Sequence, residues 1–297
     1  MINFVTTIYK SKIFKHYLER PPVVIGSIVI LILLLGAIFA PLIAPQNPYA
    51  IDKISLSNSL KPPLWKKGGV SPFILGTDMQ GRGVFSTILY GCRTSFLVGI
   101  SVVIIAGGFG ALIGLLAGYY GGILDIIMMR MGDTLFSFSQ TLIAMLLLGI
   151  FQTNSVVLVI MAICISGWVQ YARTIRGEVL SVKEEEYVLA SKATGNNDRR
   201  IIFKHILPNS ISPLLVIAAV HFGMAIMLEA TLSFLGVGVP ITHPSLGMMI
   251  SQGRNFLYAG KWWLVFFPGI TLMSIVFSLN LIADWLRDEF DPRLKNI

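Results

Sequence analysis

Residues 94–124 read TSFLVGISVVIIAGGFGALIGLLAGYYGGIL and carry no charged side chain between Arg93 and Asp125. About 20 consecutive apolar residues, at ~1.5 Å rise each, cross the ~30 Å hydrocarbon core of a bilayer. The stretch is long enough to span a membrane, and the span is predicted over Phe96 to Tyr119. Composition extends that conclusion to the whole chain: 55% of 297 residues are hydrophobic and 13% charged, against about 25% charged in soluble proteins. An ordinary soluble enzyme is excluded.

Marking uncharged runs outward from this stretch gives six candidate spans. The first is Val23 to Ala44, and the second lies within 94–124. The run from Thr134 to Tyr171 is too long for one helix, and Gln152-Thr153-Asn154-Ser155 divides it into a third and a fourth. The fifth runs from about Asn209 to Leu235 and the sixth from about Trp262 to Ala283. Lys10, Lys12, Lys15 and Arg20 precede the first run as in a signal peptide, but its apolar length exceeds the about 7–15 residues of such a segment. It is read as an anchored helix. The expected class is an all-α integral membrane protein with six transmembrane helices.

With the N-terminus inside, 15 of the 23 Lys and Arg fall on the inner side and 8 on the outer, so the positive-inside rule favours both termini inside. The resulting organisation is a cytoplasmic tail over residues 1–22, a first span over 23–44 and an extracytoplasmic loop over 45–93. A core follows over 94–284, including an internal loop over 173–208, and a cytoplasmic tail over 285–297. The net charge of +8 reports the inner loops and contact with membrane lipid; no nucleic-acid partner is expected.

Gly76-x4-Gly81-Arg82-Gly83 lacks the Lys and Ser/Thr that a phosphate-binding loop needs, so ATP is not expected to bind there. Gly110, Gly114, Gly118 and Gly122 recur every fourth residue and form one stripe, the pattern that lets helices approach closely in lipid. The partner is either another helix of this chain or a second subunit. Ionisable residues within spans are functional candidates because of their cost in hydrocarbon: Glu229 is the deepest, His221 lies about two turns earlier, and Asp125, Arg130 and Asp133 cluster before the third span. Glu229, His221 and Asp133 are the candidates for the pathway or for bracing the bundle. Two cysteines, four scattered histidines and the lack of a HExxH or GxSxG motif leave no catalytic residue and no metal site to propose.

The internal loop is the most informative polar stretch. Glu184-Glu185-Glu186 suits a helix start, and Gly195 suits the residue after a helix end. Asn197 or Asp198 is placed to cap a second short helix, Arg199 to Leu207, closed by Pro208. This helix-turn-helix between spans four and five reads either as a docking element for a soluble partner or as a surface helix on anionic lipid, held by Arg199, Arg200 and Lys204.

Ala190-x4-Gly195-x-x-Asp198-Arg199-Arg200, followed by His205-Ile206-Leu207-Pro208-Asn209, resembles the E-A-A-x3-G-x9-I-x-L-P loop of ATP-binding-cassette importer permeases. It is similar in particular to the C-type permease subunit of dipeptide, oligopeptide and nickel importers. Leu75-Gly76-Thr77-Asp78-x-x-Gly81-Arg82, Ala117-Gly118-Tyr119-Tyr120-Gly121-Gly122, Glu229-Ala230-x-Leu232-Ser233-Phe234-Leu235-Gly236-x-Gly238 and Arg287-Asp288-x-x-Asp291-Pro292-Arg293-Leu294 extend the likeness over nearly the whole chain. Four departures stand out: Leu189-Ala190-Ser191 replaces the E-A-A triplet, His205 holds the Ile slot, Gly83 stands for an Asp, and Ser137-Phe138-Ser139 stands for Ala-Phe-Pro.

The resemblance implies an inner-membrane permease forming half of a translocation pathway that works by alternating access. The implied partners are a homologous second permease, two cytoplasmic ATPases that use Mg-ATP, and an extracytoplasmic binding protein; this chain binds no cofactor itself. The implied ATPase-docking loop contains Glu186, Tyr187, Ala190, Ala193, Gly195, Asp198, Arg199, Arg200, His205 and Pro208. Di- or oligopeptides are the expected substrates, with nickel the alternative within the family. An ATP-independent secondary carrier is the alternative from another class, although no internal repeat supports it.

Overall fold

The computed structural model describes residues 12–50, 52, 54–151, 155–240 and 242–290. Residues 152–154, where the sequence divides the third span from the fourth, lie outside the described residues. So do 1–11 and 291–297, which include Asp291, Pro292, Arg293 and Leu294. Among the described residues the one β feature is an isolated bridge between Thr77 and Gly83.

The helices follow in chain order. Lys12–Leu18 (α1) leads into Pro21–Ile38 (α2), whose two leading prolines occupy first-turn positions where no backbone N–H is needed. A break at Phe39 precedes the short Ala40–Ile43 (α3), so the expected first span is interrupted near its end, just ahead of Pro41. Val84–Tyr120 (α4) is 37 residues long and starts well before Arg93, so residues 84–93, read as loop from the sequence, are helical. Arg93 does not end the helix. Gly122–Phe136 (α5) and Gln140–Phe151 (α6) follow, bent by 88°. Ser137, at the bend, sends its hydroxyl to the carbonyls of Thr134 (2.7 Å) and Asp133 (3.2 Å), the local competition with the backbone that ends or bends helices. Val156–Val182 (α7), Glu186–Ala193 (α8), Asp198–Phe234 (α9), Leu246–Arg254 (α10) and Trp263–Phe290 (α11) complete the chain. Among the described residues, five helices are long and apolar enough to cross a membrane, and the bent pair, counted as one span, makes six.

A further expectation is corrected. The second short helix, closed by Pro208, does not exist as a separate element, because α9 runs unbroken through Pro208. Proline lacks the N–H that would bond the carbonyl four residues back, and its ring crowds that carbonyl. The chain absorbs both defects in a π-helical turn over Ile202–Ile206, directly before Leu207 and Pro208.

The centre of the bundle is the seam between α4 and α7. A Cβ at Gly114 would lie 2.5 Å from the carbonyl oxygen of Ala172, one at Gly118 would lie 2.8 Å from Cβ of Val179, and one at Gly110 would overlap the carbonyl of Trp168. Three glycines of the stripe therefore pack inside this chain. Gly122 does not: with Gly121 it turns the backbone through φ of +63° and +61°, and no atom lies within 4 Å of the place for its Cβ. Around the seam, Val98, Val102, Ile163, Val169 and Leu232 form one buried cluster. The base of α11 is fastened to the start of the described chain by Arg20 and Asp288 (2.6 Å) and by His16 and Glu289 (3.3 Å).

Enlarging a seam glycine forces backbone apart, and overpacking of this kind costs about 1–3 kcal/mol or more. Gly114→Val is expected to lower the thermal unfolding temperature in mild detergent, whereas Gly108→Ala, where no atom lies within 4 Å, is expected to leave it unchanged; size-exclusion chromatography after a temperature series reads both.

Candidate functional site

The segment between α7 and α9 is built onto the ends of three long helices. Val188 of α8 is buried in a cluster with Leu115 of α4, Ile175 and Val179 of α7, and Ile201 and Ile206 of α9. Ser191 is buried as well, and the other residues of α8 face outward: Glu186, Ala190, Lys192 and Ala193 are exposed, as are the large Tyr187 and Leu189. Phe203, on the π turn, is 64% exposed. One buried residue per turn, Val188 and Ser191, anchors α8.

The turn after α8 is closed by backbone chemistry. Gly195 sits at φ +79°; its N–H bonds the carbonyl of Lys192 (3.0 Å), and the N–H of Asn196 bonds that of Ser191 (3.3 Å). This is the paired bonding of a left-handed helix stop, which needs glycine. The Asn197 side chain then accepts from the N–H of Arg199 (3.4 Å), capping α9. Between these caps the Asp198 carboxylate receives the Tyr119 hydroxyl at 2.6 Å, joining the start of α9 to the end of α4. His205 approaches Ser191 (3.4 Å), and Asn209 donates to the Tyr187 hydroxyl (3.0 Å) and the His205 carbonyl (2.7 Å). Partial burial raises the Tyr187 phenol above its ordinary value, aided by the Glu185 and Glu178 charges, so it stays neutral. Arg199, Arg200 and Pro208 are exposed. A cleft of about 410 Å³ between α8 and the end of α4 is lined by charged side chains, among them Lys183, Lys192 and Asp198, and by apolar ones, Val188, Leu189 and Ile201.

Two ion pairs brace the same end. Arg176 of α7 forks onto Asp125 of α5, with Nη2 to Oδ2 at 2.6 Å, and Arg173 meets Asp133 at 2.5 Å while stacking on Phe136. The partners lie 51 and 40 residues apart, so no local spacing in the sequence announces them.

Glu229 belongs to a separate arrangement near the other end of α9. It is wholly buried, and its two oxygens accept from the hydroxyls of Ser233 (2.8 Å) and of Ser95 on α4 (3.1 Å). Ser233 in turn accepts the N–H of Val239, so the carboxyl group ties α4 and α9 to the chain beyond α9. His221 is engaged elsewhere, with Gln170 at 2.7 Å and the Tyr171 ring at 4.7 Å, both on α7. Glu229, His221 and Asp133 are thus not brought together. Among the described residues no group of three or more His, Cys, Asp or Glu side chains is disposed to hold a metal.

With this geometry in view, similarity to known proteins becomes specific. A profile of the family described as "binding-protein-dependent transport system inner membrane component" matches residues 110–296, which include α8, its glycine stop and Glu229. The chain belongs to this family. A second profile, "N-terminal TM domain of oligopeptide transport permease C", matches residues 11–63. Among curated relatives, the dipeptide transport system permease protein DppC of Haemophilus influenzae is 38% identical over 280 residues, 94% of this chain and 93% of that protein. The di/tripeptide permease protein of Pseudomonas aeruginosa is 37% identical over 271 residues (91% and 88%), and the oligopeptide permease protein OppC of Bacillus subtilis 36% over 271 residues (91% and 85%). The protein is a multi-pass membrane component of a transport system.

Removing the buried Glu229 carboxyl strands two hydroxyls, each worth about 1–3 kcal/mol when left unsatisfied. Glu229→Ala is expected to lower thermal stability in detergent markedly, while Glu229→Gln, which still accepts one hydrogen bond and offers another, is expected to retain most of it.

Proposed function

We propose that this chain is the permease subunit of an ATP-driven, binding-protein-dependent importer of di- or oligopeptides. It forms half of the translocation pathway and does no chemistry of its own. The observation that supports this most is α8: a short helix anchored by one buried face to the bases of α4, α7 and α9, with Tyr187, Leu189, Ala190 and Ala193 left open to a partner. A helix built to rest on lipid would not need the Schellman-type stop at Gly195, the Asn197 cap or the Tyr119–Asp198 bond. These features favour a docking element that must hold its shape under load.

In this reading two ATPase subunits hydrolyse Mg-ATP in the cytoplasm, on the side of α8, and a homologous permease completes the pathway. An extracytoplasmic binding protein delivers substrate at the opposite end, and the location is the inner membrane with both termini in the cytoplasm. Residues 186–208 dock the ATPases, Glu229 and His221 brace the bundle, and Asp133 holds α5 against α7. The rigid contacts of α8 let closure of the ATPases move the ends of three spans together, a rigid-body route to alternating access. The dipeptide, di/tripeptide and oligopeptide permeases among its relatives support peptides over nickel, and family membership supports ATP-driven import over a secondary carrier.

Proline at position 195 cannot adopt positive φ. Gly195→Pro is expected to insert and copurify a second permease while losing coupled uptake in proteoliposomes; normal uptake by that variant contradicts the docking assignment. Tagging the chain in its native membrane and assaying copurifying proteins for Mg-ATP hydrolysis is expected to recover ATPases, and a lone chain that still transports after reconstitution contradicts the importer reading.

A further inference from the structure

The lobe between α3 and α4 carries a surface that the transport reading does not use. Residues 64–67 are Leu-Trp-Lys-Lys, and Leu64 and Trp65 are 48% and 60% exposed. The Trp65 ring stands edge-on to Phe267 at 6.2 Å. Phe267 lies one turn into α11, about 6 Å from its start by helical rise, and the neighbouring Phe266 and Ile270 are exposed apolar side chains of a candidate membrane span. Trp65 is therefore level with the first lipid-facing turn of α11.

Lys66 turns back from that level. Its ammonium lies 5.6 Å from the Trp262 ring and 5.8 Å from that of Trp263, and Lys261 lies 5.3 Å from Trp263. Lys67 is exposed beside them. Among the described residues, none of these three lysines is paired with a carboxylate. The indoles hold the cations at the polar edge of the span without neutralising them. Water alone would satisfy the ammonium groups, but it disfavours the apolar Leu64 and Trp65 presented next to them.

Aromatic side chains at the boundary, exposed apolar groups below it and unpaired cations above it match one medium, the headgroup region of a bilayer. We propose that this lobe rests in the membrane leaflet opposite α8. Leu64 and Trp65 enter the acyl-chain boundary, and Lys66, Lys67 and Lys261 bind the phosphates of anionic phospholipid. The proposal stands independently of substrate and of the docking role of α8.

The test uses the chain purified with its copurifying subunits and reconstituted in nanodiscs. A bimane label is placed at Trp65→Cys, with Phe266→Cys as the lipid-facing reference; native Cys92 and Cys164 are buried. Quenching by doxyl-labelled phospholipid is expected at both positions, and at position 65 it is expected to be stronger in phosphatidylglycerol mixtures than in phosphatidylcholine alone. Substituting Lys66, Lys67 and Lys261 by Gln is expected to weaken the anionic preference by about fivefold per lysine. Substituting the same three by Arg is expected to preserve it and shows that the lobe tolerates replacement. A label at 65 quenched by soluble iodide and not by lipid, while 266 is quenched by lipid, overturns the proposal and assigns the surface to a protein partner. So does a phosphatidylglycerol dependence that survives the Gln substitutions.

Discussion

The close approach of α4 and α7 at Gly110, Gly114 and Gly118 is the contact on which the other features depend. In lipid no hydrophobic force drives helices together, so association rests on packing and on the few polar bonds available. Small residues on one helix bring the backbone of the other within van der Waals distance over two helical turns. That proximity places Ile175 and Val179 beside Leu115 and so creates the apolar floor under Val188. It also brings Lys183 to the last turn of α4, where its ammonium bonds the carbonyl of Gly118 at 3.3 Å.

The two ends of the bundle use different means of fixation. At the α8 end, charged pairs and capped turns lie at the surface: Asp125 with Arg176, Asp133 with Arg173, and Tyr119 with Asp198. The exposed Asp133–Arg173 pair contributes little stability by itself, while the Asp125–Arg176 fork and the Tyr119–Asp198 bond are half-buried; together they define the angles between α4, α5, α7 and α9. At the other end fixation is internal, through Glu229 and its serines and through the lobe before α4. There Asp78 holds Arg82 at 2.7 Å and also accepts two backbone N–H groups, so the pair is buried without an unsatisfied oxygen. The first end presents an open helix face, and the second is fixed by buried polar contacts beneath its surface.

Much of this was legible in the sequence, for identifiable reasons. Uncharged runs located five of the six expected spans, because desolvating charge is what a bilayer forbids; the third, expected from Thr134, falls across the bend between α5 and α6, which pass as a span only as a pair. Gly195 marked the end of α8, because a left-handed stop has one preferred residue. The stripe of glycines revealed a close helix contact, though its partner, α7, could not be read. Other features left no local trace. Arg93 marks the edge of an apolar run and not the start of α4, which reaches back to Val84 through turns buried inside the protein. The 88° bend between α5 and α6 falls at Ser137-Phe138-Ser139, inside the charge-free run that begins at Thr134, so the pattern of charges did not announce it. Pro208 misled because the rule against interior proline assumes an α-helical ladder, and a π turn evades it. The depth of Glu229 was evident, but Ser95, its partner 134 residues away, was not.

The central claim is that α8 and the ends of α4, α5, α7 and α9 form one body, so that force applied to α8 moves the spans. Its most direct test is pulsed electron paramagnetic resonance between spin labels at Ala193 and Leu124, both exposed, in the assembled complex with and without a non-hydrolysable ATP analogue. One narrow distance distribution, unchanged by nucleotide, is the result the account predicts. A distance that shifts or broadens on nucleotide binding would show that α8 moves against the helices beneath it and would contradict the account.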